Sequence, residues 1–323
     1  DHHFSLVLPT ELDAGYPPAL GYLLALVWKI AGKSLFSAHL LMLPFTLGII
    51  WLTRNLVDYF FNGRNVVAAM LLVFIDTTFL SQTILFSTDL VMLFFMLLAL
   101  HAVIRRKKIL LALAITGLLF SHMRGLQVAL TIGIFDLFLN SGNRNRNPVR
   151  IALPYLPALV LFGTWMIFHY YSTGWILHHP GSPWMGCYET VDAKGFLRNI
   201  IIYAWRLTDL GKLFLWIPVF TAIFFIIKGK LKSDTTLKQL FFLLAVMLLV
   251  NAPTMLFYKM LNSHRYLLPF YYMLAMLSAY IIFAVPLAGR LRKILIPLVF
   301  LGLTSGNFWV YPGKIANGWD ATL

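Results

Sequence analysis

Long apolar runs separated by basic clusters constrain this chain more than any single motif does. Its mean hydropathy is +0.79, with 60% hydrophobic and 12% charged residues among 323. A water-soluble domain of that length has no core large enough to hide so much apolar surface. The runs near 36–54, 65–83, 89–104, 109–122, 125–141, 150–171, 212–227, 238–257, 266–286 and 293–305 read as about ten membrane spans, since a helix crossing a ~30 Å hydrocarbon core needs about 20 residues. The expected fold class is all-α, a polytopic integral membrane helical bundle. It forms one domain over 1–323, with an extracytoplasmic loop 1–35 and an extracytoplasmic tail 306–323.

Sixteen of the 26 Lys and Arg residues fall on alternate loops: Arg54 and Arg64; Arg105, Arg106, Lys107 and Lys108; Arg144, Arg146 and Arg150; Lys228, Lys230, Lys232 and Lys238; Arg290, Arg292 and Lys293. The positive-inside rule makes those loops cytoplasmic. The opposite loops carry Asp1, Glu11, Asp13, Asp89, Glu189, Asp192, Asp209 and Asp320, eight of the 12 acids. The formal charge of +14 is thus topogenic. It argues against a nucleic-acid partner, because no basic stripe is interleaved with exposed aromatics on a soluble domain. The expected location is a bacterial inner membrane, with the chemistry facing the periplasm. The single cysteine, Cys187, can form neither an intramolecular disulfide nor a Cys-based metal site.

Residues 11–21 concentrate chemistry. Glu11 and Asp13 precede Gly15, Tyr16, Pro17 and Pro18, and the apolar run Tyr22 to Ile30 follows, ending at Gly32. Prolines open helices well but break their interiors. The helix after Pro18 is short and broken by Lys29 and Lys33, which suits an interfacial helix in the first extracytoplasmic loop better than a span. Asp13 then stands in a tight turn above the membrane, as a base, as a metal ligand, or as a turn residue bonding its own backbone.

These residues carry a resemblance. An extracytoplasmic acid before Pro17, Pro18, Gly21 and Tyr22, then Lys29-Ile30-Ala31-Gly32-Lys33-Ser34 and a span, resembles the multi-spanning glycosyltransferases that use polyprenyl-phosphate sugars. These are the protein mannosyltransferase and lipid A aminoarabinose transferase relatives of the C-type fold. Phe86-Ser87-Thr88-Asp89-Leu90, Ser121-His122-Met123-Arg124-Gly125 and Ser263-His264-Arg265-Tyr266-Leu267-Leu268-Pro269 are similar to further steps of that family, in the same order. The chain starts at Asp1 rather than Met, and is expected to lack the family's first transmembrane helix. The resemblance implies transfer of a sugar from a polyprenyl-phosphate donor to a lipid, glycan or protein acceptor outside the cytoplasm. Asp13, Asp1 and Glu11 compete for the base. Arg124 and Arg265 would hold the phosphate, because a guanidinium forks two donors onto its oxygens, with His122, His264 and Tyr266 beside them. Asp89 would hold a divalent cation, orient the site, or cap its helix.

Other polar positions are less specific. Asp76, inside an apolar run, either lines a cavity or bonds within the bundle, and Asp136 reads as structural. Trp175, Trp184 and Trp205 suit an interfacial belt ahead of sugar stacking; Arg206 with Asp209 would close over the donor. A transporter of a lipid-linked anion is the reading from another class, for which broken helices and midplane charges would speak. An O-antigen polymerase or ligase is the third.

Overall fold

The computed structural model describes residues 7–13, 15, 17–141, 148–177, 179–182, 185–259 and 263–309. Among them there are helices and no strand. They run α1 (Ala19–Ala31), α2 (Leu35–Phe61), α3 (Val66–Phe74), α4 (Thr77–Thr83), α5 (Thr88–Ile104), α6 (Lys108–Ser121), α7 (Gly125–Asn140), α8 (Pro148–Ala152), α9 (Leu156–Thr173), α10 (Ala193–Thr208), α11 (Leu213–Ile227), α12 (Thr235–Phe257), α13 (Leu268–Phe283) and α14 (Gly289–Gly306). Four segments, Leu35–Phe61, Val149–Thr173, Thr235–Phe257 and His264–Phe283, are long and apolar enough to cross a membrane, and the number rises to 6 if two bent pairs each count as one span. This is the signature of an integral membrane protein. The expected spans over α5, α6 and α7 are apolar but shorter, at 17, 14 and 16 residues.

The chain divides into two compact units, residues 1–52 with 82–190 and residues 53–81 with 191–323. In the first, α6 packs on α5, α7 and α9. The second is built round α13, whose residues Leu268 to Ile282 are all buried against α3, α11, α12 and α14. A helix apolar on every side belongs at such a centre.

Both bends lie in the second unit, and each has a local cause. Asp76 ends one helix and starts another: its carboxylate accepts the Phe79 N–H at 2.9 Å, an N-cap for α4, and α3 and α4 meet at 77°. The second bend, 88° between α10 and α11, follows from Leu210 and Gly211, which both sit in the left-handed region at φ 49 and 79. A Cβ at Gly211 would stand 2.5 Å from the Gly302 carbonyl oxygen, so glycine on both sides lets α14 approach the turn.

Hydropathy missed α10, which lies between the expected spans 150–171 and 212–227. Its buried positions are Asn199, Ile202, Tyr203 and Arg206. That i, i+3, i+4, i+7 stripe mixes polar with apolar residues and leaves no run for a window to detect. Asp192 caps it through the Gly195 N–H at 2.7 Å.

Candidate functional site

The first unit locks Asp13 rather than presenting it. Its Oδ1 accepts the Gly15 N–H at 2.8 Å, which is the turn bond expected of such an aspartate, and its Oδ2 lies 2.8 Å from Nε2 of His169. Gly15 is obligatory here: φ is 76, and a Cβ would meet the Leu177 carbonyl oxygen at 2.2 Å. Ser182 Oγ donates to the Asp13 carbonyl at 3.0 Å, and the residue is 3% exposed. Burial, with a smaller contribution from the Asp13 carboxylate, raises the Tyr22 phenol above its usual range.

His169, which no motif flagged, is fully buried near the end of α9. Its Nδ1 sits 3.0 Å from the Trp175 carbonyl oxygen, and the indoles of Trp165 and Trp175 lie 4.9 and 4.7 Å from its ring. Both ring nitrogens therefore face acceptors. Such a ring is satisfied either as an imidazolium against a carboxylate or as a neutral Nδ1–H form against a protonated Asp13, and the pair is neutral overall in both cases. The legible signal was a histidine in an apolar segment, where an ionisable group is costly without a partner.

Asp89, His122 and Arg124 also fall together in this unit. His122 Nε2 lies 3.9 Å from Asp89 Oδ1, and the Arg124 backbone N–H donates to His122 Nδ1 at 3.0 Å. Asp89 and Arg124 are buried. The cap of α5 is Ser87, which accepts the Leu90 N–H, so Asp89 sits in the first turn without serving as the N-cap. Among the described residues no three His, Cys, Asp or Glu side chains gather as a metal site. Glu11 is exposed. Asp1, Tyr16 and Trp184 lie outside the described residues.

The second unit assembles a denser charged group at the two helix breaks. Asp209 Oδ2 lies 2.9 Å from His264 Nε2 and 3.6 Å from Arg206 Nη1, and the same Nη1 stands 3.1 Å from His264 Nδ1. A guanidinium only donates, so the His264 ring meets Arg206 as an acceptor, with Nη1 3.1 Å from Nδ1 and 3.4 Å from Nε2. Tyr271 donates to the Arg206 carbonyl at 2.7 Å. Below the turn, Lys212 Nζ is 3.3 Å from Asp76 Oδ2 and 4.3 Å from the Tyr271 ring centre, and Lys212 is fully buried. Asp76 thus bonds within the bundle, one of its two expected roles. Arg265, one residue after His264, is exposed, and its Nη2 donates to the Tyr266 hydroxyl at 3.2 Å. Sequence reasoning singled out Arg206, Asp209, His264 and Asp76 but not Lys212, which looked like the polar edge of a span.

The fold and these sites define a class, a helical membrane protein with buried ion pairs at helix breaks. Compared with known proteins, the chain matches no family model, no curated protein and no solved structure.

Proposed function

We propose that this chain is an integral membrane glycosyltransferase that passes a sugar from a polyprenyl-phosphate carrier to a lipid, glycan or protein acceptor outside the cytoplasm. The observation that carries the reading is the group at the breaks, where Arg206, Lys212 and His264 meet two carboxylates and Arg265 stands exposed beside them. Cations held in a water-poor site interact strongly with an anion, and preorganised donors lower the cost of a leaving phosphate. In the transfer, the acceptor oxygen bonds to the anomeric carbon as the carbon–phosphate-oxygen bond breaks, with inversion. The hydroxyl proton passes to a carboxylate. The resemblance assigns that base to Asp13, the phosphate to Arg265 and Arg124, and a cation or an orienting role to Asp89; each assignment stands on its own variant. α1 lies along the outer membrane surface in this reading.

One observation favours a second class. Two bent helix pairs meeting at paired charges is also how carriers build a site for an anion and its coupling ion. Purified protein in sealed vesicles with labelled polyprenyl-phosphate sugar separates the two. A transferase frees polyprenyl phosphate and labels an added acceptor, whereas a carrier moves label across the bilayer with its phosphate ester intact. Sidedness is tested with Leu12→Cys and Lys232→Cys in a Cys187→Ser background, both positions being exposed. Leu12→Cys should react with an impermeant thiol reagent from the periplasmic side and Lys232→Cys should not; reversed labelling puts the acids in the wrong compartment and ends the glycosyltransferase reading.

A further inference from the structure

We infer that the first unit holds an anionic glycerophospholipid at its basic end, with the phosphate in a cavity between α5, α6, α7 and α8 and an acyl chain in the apolar groove beside it. The cavity, about 280 Å³, is lined by Arg106, Lys107, Lys108 and Arg150, with Asp136 and Asn140 at its wall. The groove, about 500 Å³, is lined by Leu126, Leu130, Leu137 and Leu159 among other apolar side chains. The two share Ile151. Tyr155 joins them further: its ring lines the groove while its hydroxyl donates to Asp136 Oδ2 at 3.1 Å. Among the described lining residues Asp136 is the one acid beside the four bases, and Asn140 Nδ2 donates to its other oxygen at 2.8 Å. An excess of positive charge therefore remains at the mouth. A basic pocket opening onto an apolar channel complements an anionic phosphodiester lipid at both ends; a free phosphate lacks the chain, and a zwitterionic lipid carries phosphate and chain but brings its own cation to the bases.

Arg106 adds an independent argument. The end of α5 closes as a Schellman turn, in which the Lys107 N–H donates to the Ala102 carbonyl at 2.8 Å and the Arg106 N–H to the Val103 carbonyl at 3.1 Å. The residue at that point sits at φ 55, where glycine is the usual choice, yet it is an arginine that lines the cavity. A side chain kept at a backbone position that disfavours it points to a use for the side chain.

The test uses the detergent-purified full chain and native mass spectrometry with phosphatidylglycerol or phosphatidylcholine of identical chains. Phosphatidylglycerol should be retained preferentially, on the order of tenfold or more for the charges involved. Arg106→Gly with Arg150→Gln should bring it down to the phosphatidylcholine level. Arg106→Gly relieves the backbone, so its unfolding midpoint should not fall, and loss of binding will not be loss of fold. Gly133→Leu fills the groove and should weaken both lipids. Gly133→Ala should not, because its Cβ has only an ordinary 3.8 Å contact with the Tyr155 ring. Equal retention of the two lipids overturns the proposal, as does unchanged selectivity in the double variant. Displacement by soluble glycerol phosphate as readily as by lipid would reduce the site to a phosphate pocket and also overturn it.

Discussion

Each unit contains a buried aspartate paired with a histidine, at 2.8 Å for Asp13 with His169 and 2.9 Å for Asp209 with His264. What the second ring nitrogen meets sets them apart. His169 turns Nδ1 to a carbonyl, so the ring must offer a hydrogen there and the carboxylate decides the rest. His264 turns Nδ1 to a guanidinium, which makes the ring an acceptor on that side, while Nε2 lies 2.9 Å from the Asp209 carboxylate. The first pair can hold its proton on either partner and stay neutral; the second holds its ring between a guanidinium and a carboxylate. One arrangement suits proton transfer, the other suits holding charge in place.

The comparison breaks most visibly at Lys212. Its ammonium and the Asp76 carboxylate are both withdrawn from solvent, and removing one partner of such a pair leaves a buried charge at a cost of about 3–5 kcal/mol. Lys212→Met should therefore lower the unfolding free energy of the solubilised protein by that amount. Adding Asp76→Asn should restore most of it, because asparagine still caps α4 through the Phe79 N–H and no charge remains. A loss below about 1 kcal/mol for Lys212→Met would mean that water reaches the pair, and the second unit would no longer be the one that stores fixed charge.

Most of the helices were legible because apolar runs report burial or lipid directly; of the residues singled out by motif, Asp13, Asp89, His122 and His264 lie in ion-paired groups, whereas Glu11 and Arg265 are exposed and Asp1 lies outside the described residues. Three things were hidden for identifiable reasons. α10 is amphipathic with a low mean hydropathy, so a search for span-length apolar runs passes over it. His169 meets Asp13 across 156 positions, a contact that no local pattern encodes. Lys212 looked like a span boundary until the left-handed turn at Leu210 and Gly211 carried it into the core. Each is a tertiary override of a local reading.

Asp13→Asn sharpens the other half of the comparison. The amide oxygen can still accept from Gly15, and the amide nitrogen can donate to a neutral His169 whose Nδ1–H keeps the Trp175 bond. The variant is expected to fold with stability within about 1 kcal/mol of the parent, so a change in turnover is a change in chemistry. If Asp13 is the base, transfer from labelled donor should fall about 10²–10⁴-fold with donor binding retained. Parental turnover would leave Asp13 as a turn residue and pass the base role to Glu11 or Asp1.

The smallest expected effect is at Arg265, and it asks whether the charge-holding unit also binds phosphate. Lysine keeps the positive charge and can still reach lipid headgroups, but it lacks the planar fork that grips two phosphate oxygens. Unlike the buried Arg206, Arg265 is exposed and donates to the Tyr266 hydroxyl, so Arg265→Lys should leave the buried pairs and the unfolding midpoint unchanged. If it contacts the carrier phosphate, the donor titration should show a loss worth about 1.5–3 kcal/mol, the size of one charge-assisted hydrogen bond, with Arg265→Ala losing more. If it anchors α13 to the interface, lysine should match the parent across the whole titration while alanine lowers stability instead of affinity. Parental behaviour of Arg265→Lys would confine the second unit to structural charge and remove the phosphate assignment that the Ser263 to Pro269 segment suggests.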